Sequence, residues 1–148
     1  MKALLTVALV FASTIFVHAG GTSDYQAALV KAKAKHKLVL LDFTGSDWCE
    51  YCQALEKEVL SKPAFKHFAE ANYILVTVDF PHQKGLPEEV KLQNSSLRRK
   101  FKVHSYPTLI VVDAEGKELG RQTSYKPGTG PEQVISRLKS FKKTDSPN

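Results

Sequence analysis

The chain is 148 residues long, with 21 Lys and Arg against 15 Asp and Glu, a net charge of +6 and a pI near 9.3. That length fits one ordinary domain, and two cysteines are too few for a disulfide-stapled scaffold. Much of the basic excess lies in Lys31, Lys33, Lys35, Lys37 and in Arg98, Arg99, Lys100, Lys102, which read as solvated helix faces and not as a nucleic-acid surface.

Residues 1–19 read as a secretory signal peptide. Lys2 gives a positive start, Ala3 to Val17 is uncharged and mostly apolar, and Val17-His18-Ala19 ends in small residues at the recognition positions. The run is shorter than the roughly 20 apolar residues that span a bilayer. Cleavage after Ala19 leaves residues 20–148 as a single exported domain with no stable membrane insertion, periplasmic or more widely secreted. An uncleaved anchor is the alternative.

Gly20 to Ser23 is a linker, and Asp24 to Lys35 has helical spacing of Tyr25, Ala28, Leu29 and Ala32. Leu38 to Phe43 is an apolar run suited to a fully buried central strand. Thr44 to Asp47 is a loop with helix-start chemistry, and a helix follows from near Cys49 with Leu55, Val59 and Leu60 on one side. Pro63 marks a kink or a fresh start, with Phe65, Phe68 and Ala69 continuing the apolar pattern. Tyr73 to Phe80 alternates as a strand and Pro81 to Pro87 is a loop. Glu88 to Phe101 is a helix whose start falls at Glu88 or as late as Asn94 or Ser95. Thr108 to Asp113 and Glu118 to Gln122 are strands about a turn at Ala114 to Lys117, and Pro131 opens a last helix carrying Val134, Ile135, Leu138 and Phe141. The tail from Lys142 is polar. The order α-β-α-β-α-β-β-α predicts an α/β fold: a central mixed sheet of parallel strands plus a C-terminal antiparallel hairpin, flanked by helices.

The only cysteines stand in Trp48-Cys49-Glu50-Tyr51-Cys52. A thiol pair at the start of a helix can shuttle two electrons, so redox chemistry leads. A structural disulfide is the alternative. Zinc is disfavoured because one Cys-x-x-Cys supplies two ligands. His36, His67, His82 and His104 show no metal-ligand spacing, and only His104 is expected near the cysteines.

Three features in this order resemble the thioredoxin-fold family, most closely its small exported bacterial thiol-disulfide oxidoreductases. They are Leu41-Asp42-Phe43 followed by Trp48-Cys49-x-x-Cys52, the stretch Val103-His104-Ser105-Tyr106-Pro107-Thr108 leading into a strand, and the Asp113 to Gly116 turn before the last strand and helix. The resemblance covers nearly all of residues 20–148. It implies that Cys49, at a helix N-terminus, is the nucleophile and that Cys52 resolves the mixed disulfide. It implies that Pro107 is cis and that Tyr106 and Pro107 bind an extended substrate, with Trp48 exposed beside Cys49 as an apolar contact; simple packing is the alternative for Trp48. By position alone Asp42 faces solvent at a strand end. The resemblance makes it a buried carboxylate that helps deprotonate Cys52. Glu50 and Tyr51 fill the dipeptide that tunes the potential, and Glu50 beside the nucleophile favours a reducing pair. The spacing from Asp42 to Cys49 is one residue longer than in thioredoxin, and Leu75 stands where thioredoxin has a partner lysine.

The implied activity is reduction or isomerisation of protein disulfides by an exported monomer with no bound cofactor. An upstream redox partner would regenerate the dithiol. The rival readings are a binding or chaperone module without turnover, and an electron carrier dedicated to cytochrome or metal-site maturation.

Overall fold

The computed structural model describes residues 22–142, so the expected signal peptide at 1–19 and the tail after Lys142 lie outside the described residues. The elements are α1 (Tyr25–Lys35), β1 (Leu38–Thr44), α2 (Glu50–Leu55), a π-helical turn (Glu56–Leu60), α3 (Pro63–Asn72), β2 (Tyr73–Asp79), α4 (Glu88–Lys100), β3 (Thr108–Val112), β4 (Glu118–Thr123) and α5 (Pro131–Lys142). Local chemistry sets their ends. Asp24 caps α1 through the Ala27 N–H, and the Ala- and Lys-rich α1 sequence suits a helix. Pro63 is a fresh start, occupying the first turn of α3. α4 begins at the earlier of the two expected positions, with Glu88 and Glu89 in its first turn and Arg98, Arg99 and Lys100 in its last, both matching the helix dipole.

The four strands lie in the order β2-β1-β3-β4. β1 is central because nearly every residue in it is apolar on both faces, and it is buried almost throughout. Val39, Leu41 and Phe43 point to one side, into a core shared with Ala28 and Ala32 of α1 and Leu97 of α4. Leu40 points to the other, into a core with Leu55, Phe65 and Leu138 from the α2, α3 and α5 side. Strand alternation puts Asp42 on that second side, beneath the helix that carries the cysteines.

One expectation is corrected. β1 pairs with β2 in parallel, but it pairs with β3 antiparallel, Phe43 lying opposite Thr108 and Val39 opposite Val112. Helix-separated strands were read as parallel, and only one pair is. The reason is the placement of α4. Asn94 bonds the Asp79 carbonyl at the C-terminal end of β2, and Phe101 meets Phe43 edge-on near the C-terminal end of β1. The helix therefore crosses one end of the sheet and does not run back along it. Residues 102–107 then bring the chain in at that same end, opposite Phe43. The hairpin itself is as expected: β3 and β4 are antiparallel across a turn whose Gly116 has φ +82°, a conformation that disfavours a side chain. The π-helical turn was not anticipated, because a 3.6-residue pattern does not reveal one inserted residue.

Candidate active site

The cysteine loop is held from both ends. The Gly45 carbonyl accepts the Cys49 N–H at 2.9 Å, closing the turn between β1 and α2. A Cβ on Gly45 would come within 2.4 Å of the Trp48 indole, so this close approach requires glycine. Asp47 reaches across to the Pro81–Pro87 loop, where its carboxylate accepts the backbone N–H groups of His82, Gln83 and Lys84. Those bonds, led by the one from His82, hold its carboxyl below the usual range.

Cys49 is the N-cap of α2, with extended backbone, and its sulfur accepts the Cys52 N–H at 3.2 Å. The two cysteines form a disulfide with Cα atoms 5.2 Å apart. Cys52 is 3% exposed and Cys49 7%, so both are buried, Cys49 slightly less. The helix runs on through the π-helical turn to Leu60, aiming its N-terminal N–H groups at Cys49. Glu50 and Tyr51 sit exposed on its first turn.

Trp48 is 40% exposed. Its indole N–H donates to the Phe80 carbonyl at 2.7 Å, its face stacks on His82 at 4.7 Å, and Tyr106 meets it edge-on at 5.8 Å. Trp48 is thus both packed and partly exposed. His82 is a correction: His104 alone was expected near the site, yet His82 lies against Trp48. The Asp47 bonds fold the loop back, a long-range effect that sequence spacing does not show.

The Tyr106–Pro107 peptide bond is cis, and Pro107 is buried. Pairing of Thr108 with Phe43 fixes this loop at the end of β1 from which the cysteine loop departs. The Thr108 hydroxyl donates to the Ser105 carbonyl at 2.8 Å, and the Pro107 carbonyl accepts the Ser124 N–H. Among the described residues the Tyr106 main chain makes no hydrogen bond, which leaves its N–H and C=O free at the rim.

Asp42 is 6% exposed, and its Oδ1 has no hydrogen-bond partner among the described residues. Burial first, then the negative charges of Glu56 and Asp79, push its carboxyl up to about 7. Directly beside it on β2 is Thr77, while Leu75 pairs with Leu40. Glu56 and Asp79 were missed from sequence. Glu56 had a usable signal, since it stands four residues after Cys52 on one helix face. Asp79 ends β2 much as Asp42 nears the end of β1, and Ser46 bonds its carboxylate through both N–H and hydroxyl.

A family model described as a thioredoxin-like domain matches residues 25–139. The chain belongs to the thioredoxin-like family. The disulfide bond reductase DsbH of Chlamydia pneumoniae is 42% identical over 117 residues, which cover 79% of this chain and 69% of that protein. The thioredoxin-related protein DsbJ of the same organism is 35% identical over 107 residues, and the match spans 72% of this chain but 31% of DsbJ. A solved DsbH oxidoreductase superposes with a TM-score of 0.76 at 37% identity, covering 93% of this chain and 95% of that one. Within the thioredoxin-like family, a cystine at a helix N-terminus and this relatedness to DsbH make the protein a thiol-disulfide oxidoreductase.

Proposed function

We propose that the protein works in the reducing direction on protein disulfides, after export and removal of residues 1–19. The carrying observation is the Cys49–Cys52 cystine capping α2 on the sheet face that buries Asp42. Kinship to a disulfide bond reductase supports the direction. Exposed Glu50 beside Cys49 supports it too, since a carboxylate there opposes the thiolate and so disfavours the reduced form.

The Cys49 thiolate attacks one sulfur of the substrate disulfide. A Cys49–substrate bond forms, the substrate disulfide breaks, and the released thiolate takes a proton from water. Cys52 then loses its proton and attacks Cys49 Sγ, expelling the second substrate thiolate and forming the Cys49–Cys52 bond. Two electrons have passed to the substrate, and a dithiol donor must return them. A carboxyl near 7 takes up and gives back a proton readily at neutral pH, which suits Asp42 to accept the Cys52 proton. The free Tyr106 main chain suits pairing with an extended substrate as a short added strand. Trp48 supplies an apolar contact beside it. No bound cofactor enters these steps.

The test is reduction of a protein disulfide by the reduced protein. Cys49→Ser should abolish turnover, and Cys52→Ser should accumulate a mixed disulfide through Cys49. A wild-type protein that leaves the substrate disulfide intact, with substrate binding unchanged in Cys49→Ser, would establish a binding module in place of an enzyme.

A further inference from the structure

A cleft of about 540 Å³ opens off Trp48 and Tyr106, on the side away from α2. Phe80, Leu86 and Tyr106 supply apolar lining, and Lys91, Ser95 and Arg98 line it from α4. It shares Ser95 and Arg98 with a second cleft of about 440 Å³ that continues to Lys102 and His104. The two make one trough running from the cystine's Trp48 side along α4. Lys91, Ser95 and Arg98 recur at i, i+4 and i+7, so they share one helix face, and Lys102 follows just past the helix end.

The charges along this trough are unbalanced. In the first cleft Lys84, Lys91 and Arg98 stand against one lining carboxylate, Asp79, which keeps its charge while Ser46 donates to it, and Lys91 also pairs with Glu88 at 3.3 Å. Lys84, Arg98, Arg99 and Lys102 are exposed and have no carboxylate partner among the described residues. Arg98 instead lies over the Phe80 ring at 5.9 Å, which holds the guanidinium above the apolar floor. No carboxylate lines the second cleft. Lys102 has φ 50°, in the left-handed region that glycine adopts most readily.

We propose that this trough is a docking surface for an acidic stretch of polypeptide flanking the disulfide of the protein substrate. The inference rests on the reading of the protein as a disulfide reductase and names the chemistry of its preferred partner. A small anion would call for donors converging on one point. Here the cations are strung along successive turns of α4, which matches the repeat of an extended acidic chain. The trough also begins at Tyr106, whose free main chain gives such a chain its first pairing partner.

The experiment uses two short cysteine-free peptides, one of Asp and Glu interspersed with Leu, the other with Asn and Gln in place of the acids. Each is titrated calorimetrically into the oxidised protein at low salt. The acidic peptide should bind about tenfold or more tighter. Arg98→Gln and Lys102→Gln should each weaken it about two- to fivefold, Arg98→Lys should retain most of the affinity, and about 0.5 M salt should erase the preference. Lys31→Gln, on the exposed face of α1, should change it less than about twofold, which separates a local surface from overall charge. Equal affinity for the two peptides overturns the proposal, as does a preference that neither Arg98→Gln nor Lys102→Gln reduces. Inorganic phosphate binding as tightly as the acidic peptide would also overturn it, in favour of a small-anion site. The same peptides carrying a disulfide then report turnover. If the acidic peptide binds but neither disulfide is reduced, the reductase reading falls and the docking surface stands.

Discussion

Replacing Asp42 by Asn tests the buried carboxyl through stability as well as rate. Asp42 has an ordinary value of 3.8 and is raised to about 7 in the fold, chiefly by burial. Well below pH 3.8 the carboxyl is neutral in both folded and unfolded chains and has no effect on stability. Between about pH 4 and 7 the unfolded chain ionises while the folded one does not, so stability falls as pH rises. Above 7 both are ionised and the full loss persists. A rise from 3.8 to about 7 corresponds to a loss on the order of 4 kcal/mol. Asn has no such titration, though its amide adds buried donors, and an unsatisfied one costs about 1–3 kcal/mol. The offset between variants is therefore less telling than the slope. Denaturant unfolding of the oxidised proteins at pH 4, 6 and 8 should show wild type losing stability relative to Asp42→Asn, by several kcal/mol across that range. The rate of disulfide reduction should lose an inflection near pH 7 in the variant. Parallel stability curves from pH 4 to 8 would refute the reasoning.

Three further substitutions probe the frame of the site. Gly45→Ala drives a Cβ to 2.4 Å from the Trp48 indole and should displace the ring from its bond to the Phe80 carbonyl. The expected readouts are a red shift of Trp48 fluorescence and a loss of about 1–3 kcal/mol in unfolding free energy. Asp47→Ala removes the acceptor for three backbone N–H groups, so His82, Gln83 and Lys84 should exchange their amide hydrogens faster while the β1 amides stay protected. Phe43→Ala empties a fully buried position against Phe101 and should cost about 3–5 kcal/mol, measured in the same denaturant series.

Much of this was legible in the chain because the local signals agree with the global fold. Leu38 to Phe43 is apolar at nearly every position, and only a central strand buried on both faces needs that. Pro63 and Pro131 mark helix starts, Gly116 marks the hairpin, and the spacing of Cys49 and Cys52 puts both sulfurs at one helix end. What was not legible depends on contacts distant in sequence. The antiparallel placement of β3 follows from where α4 crosses the sheet, which Asn94 and Phe101 fix through Asp79 and Phe43. His82 reaches Trp48 only because Asp47 binds a loop 35 residues further on. Glu56 and Asp79 bear on Asp42 from a helix and a neighbouring strand, so the carboxylate cluster exists only once the sheet has formed.

The most direct measurement is the reduction potential of the Cys49–Cys52 pair, with the protein equilibrated in graded thiol buffers and followed by Trp48 fluorescence or thiol labelling. A pair acting as a reductant should lie near about −270 mV or below. A value near about −120 mV would make the protein an oxidant and contradict the role given to Glu50, and a pair that will not cycle would contradict the enzyme itself.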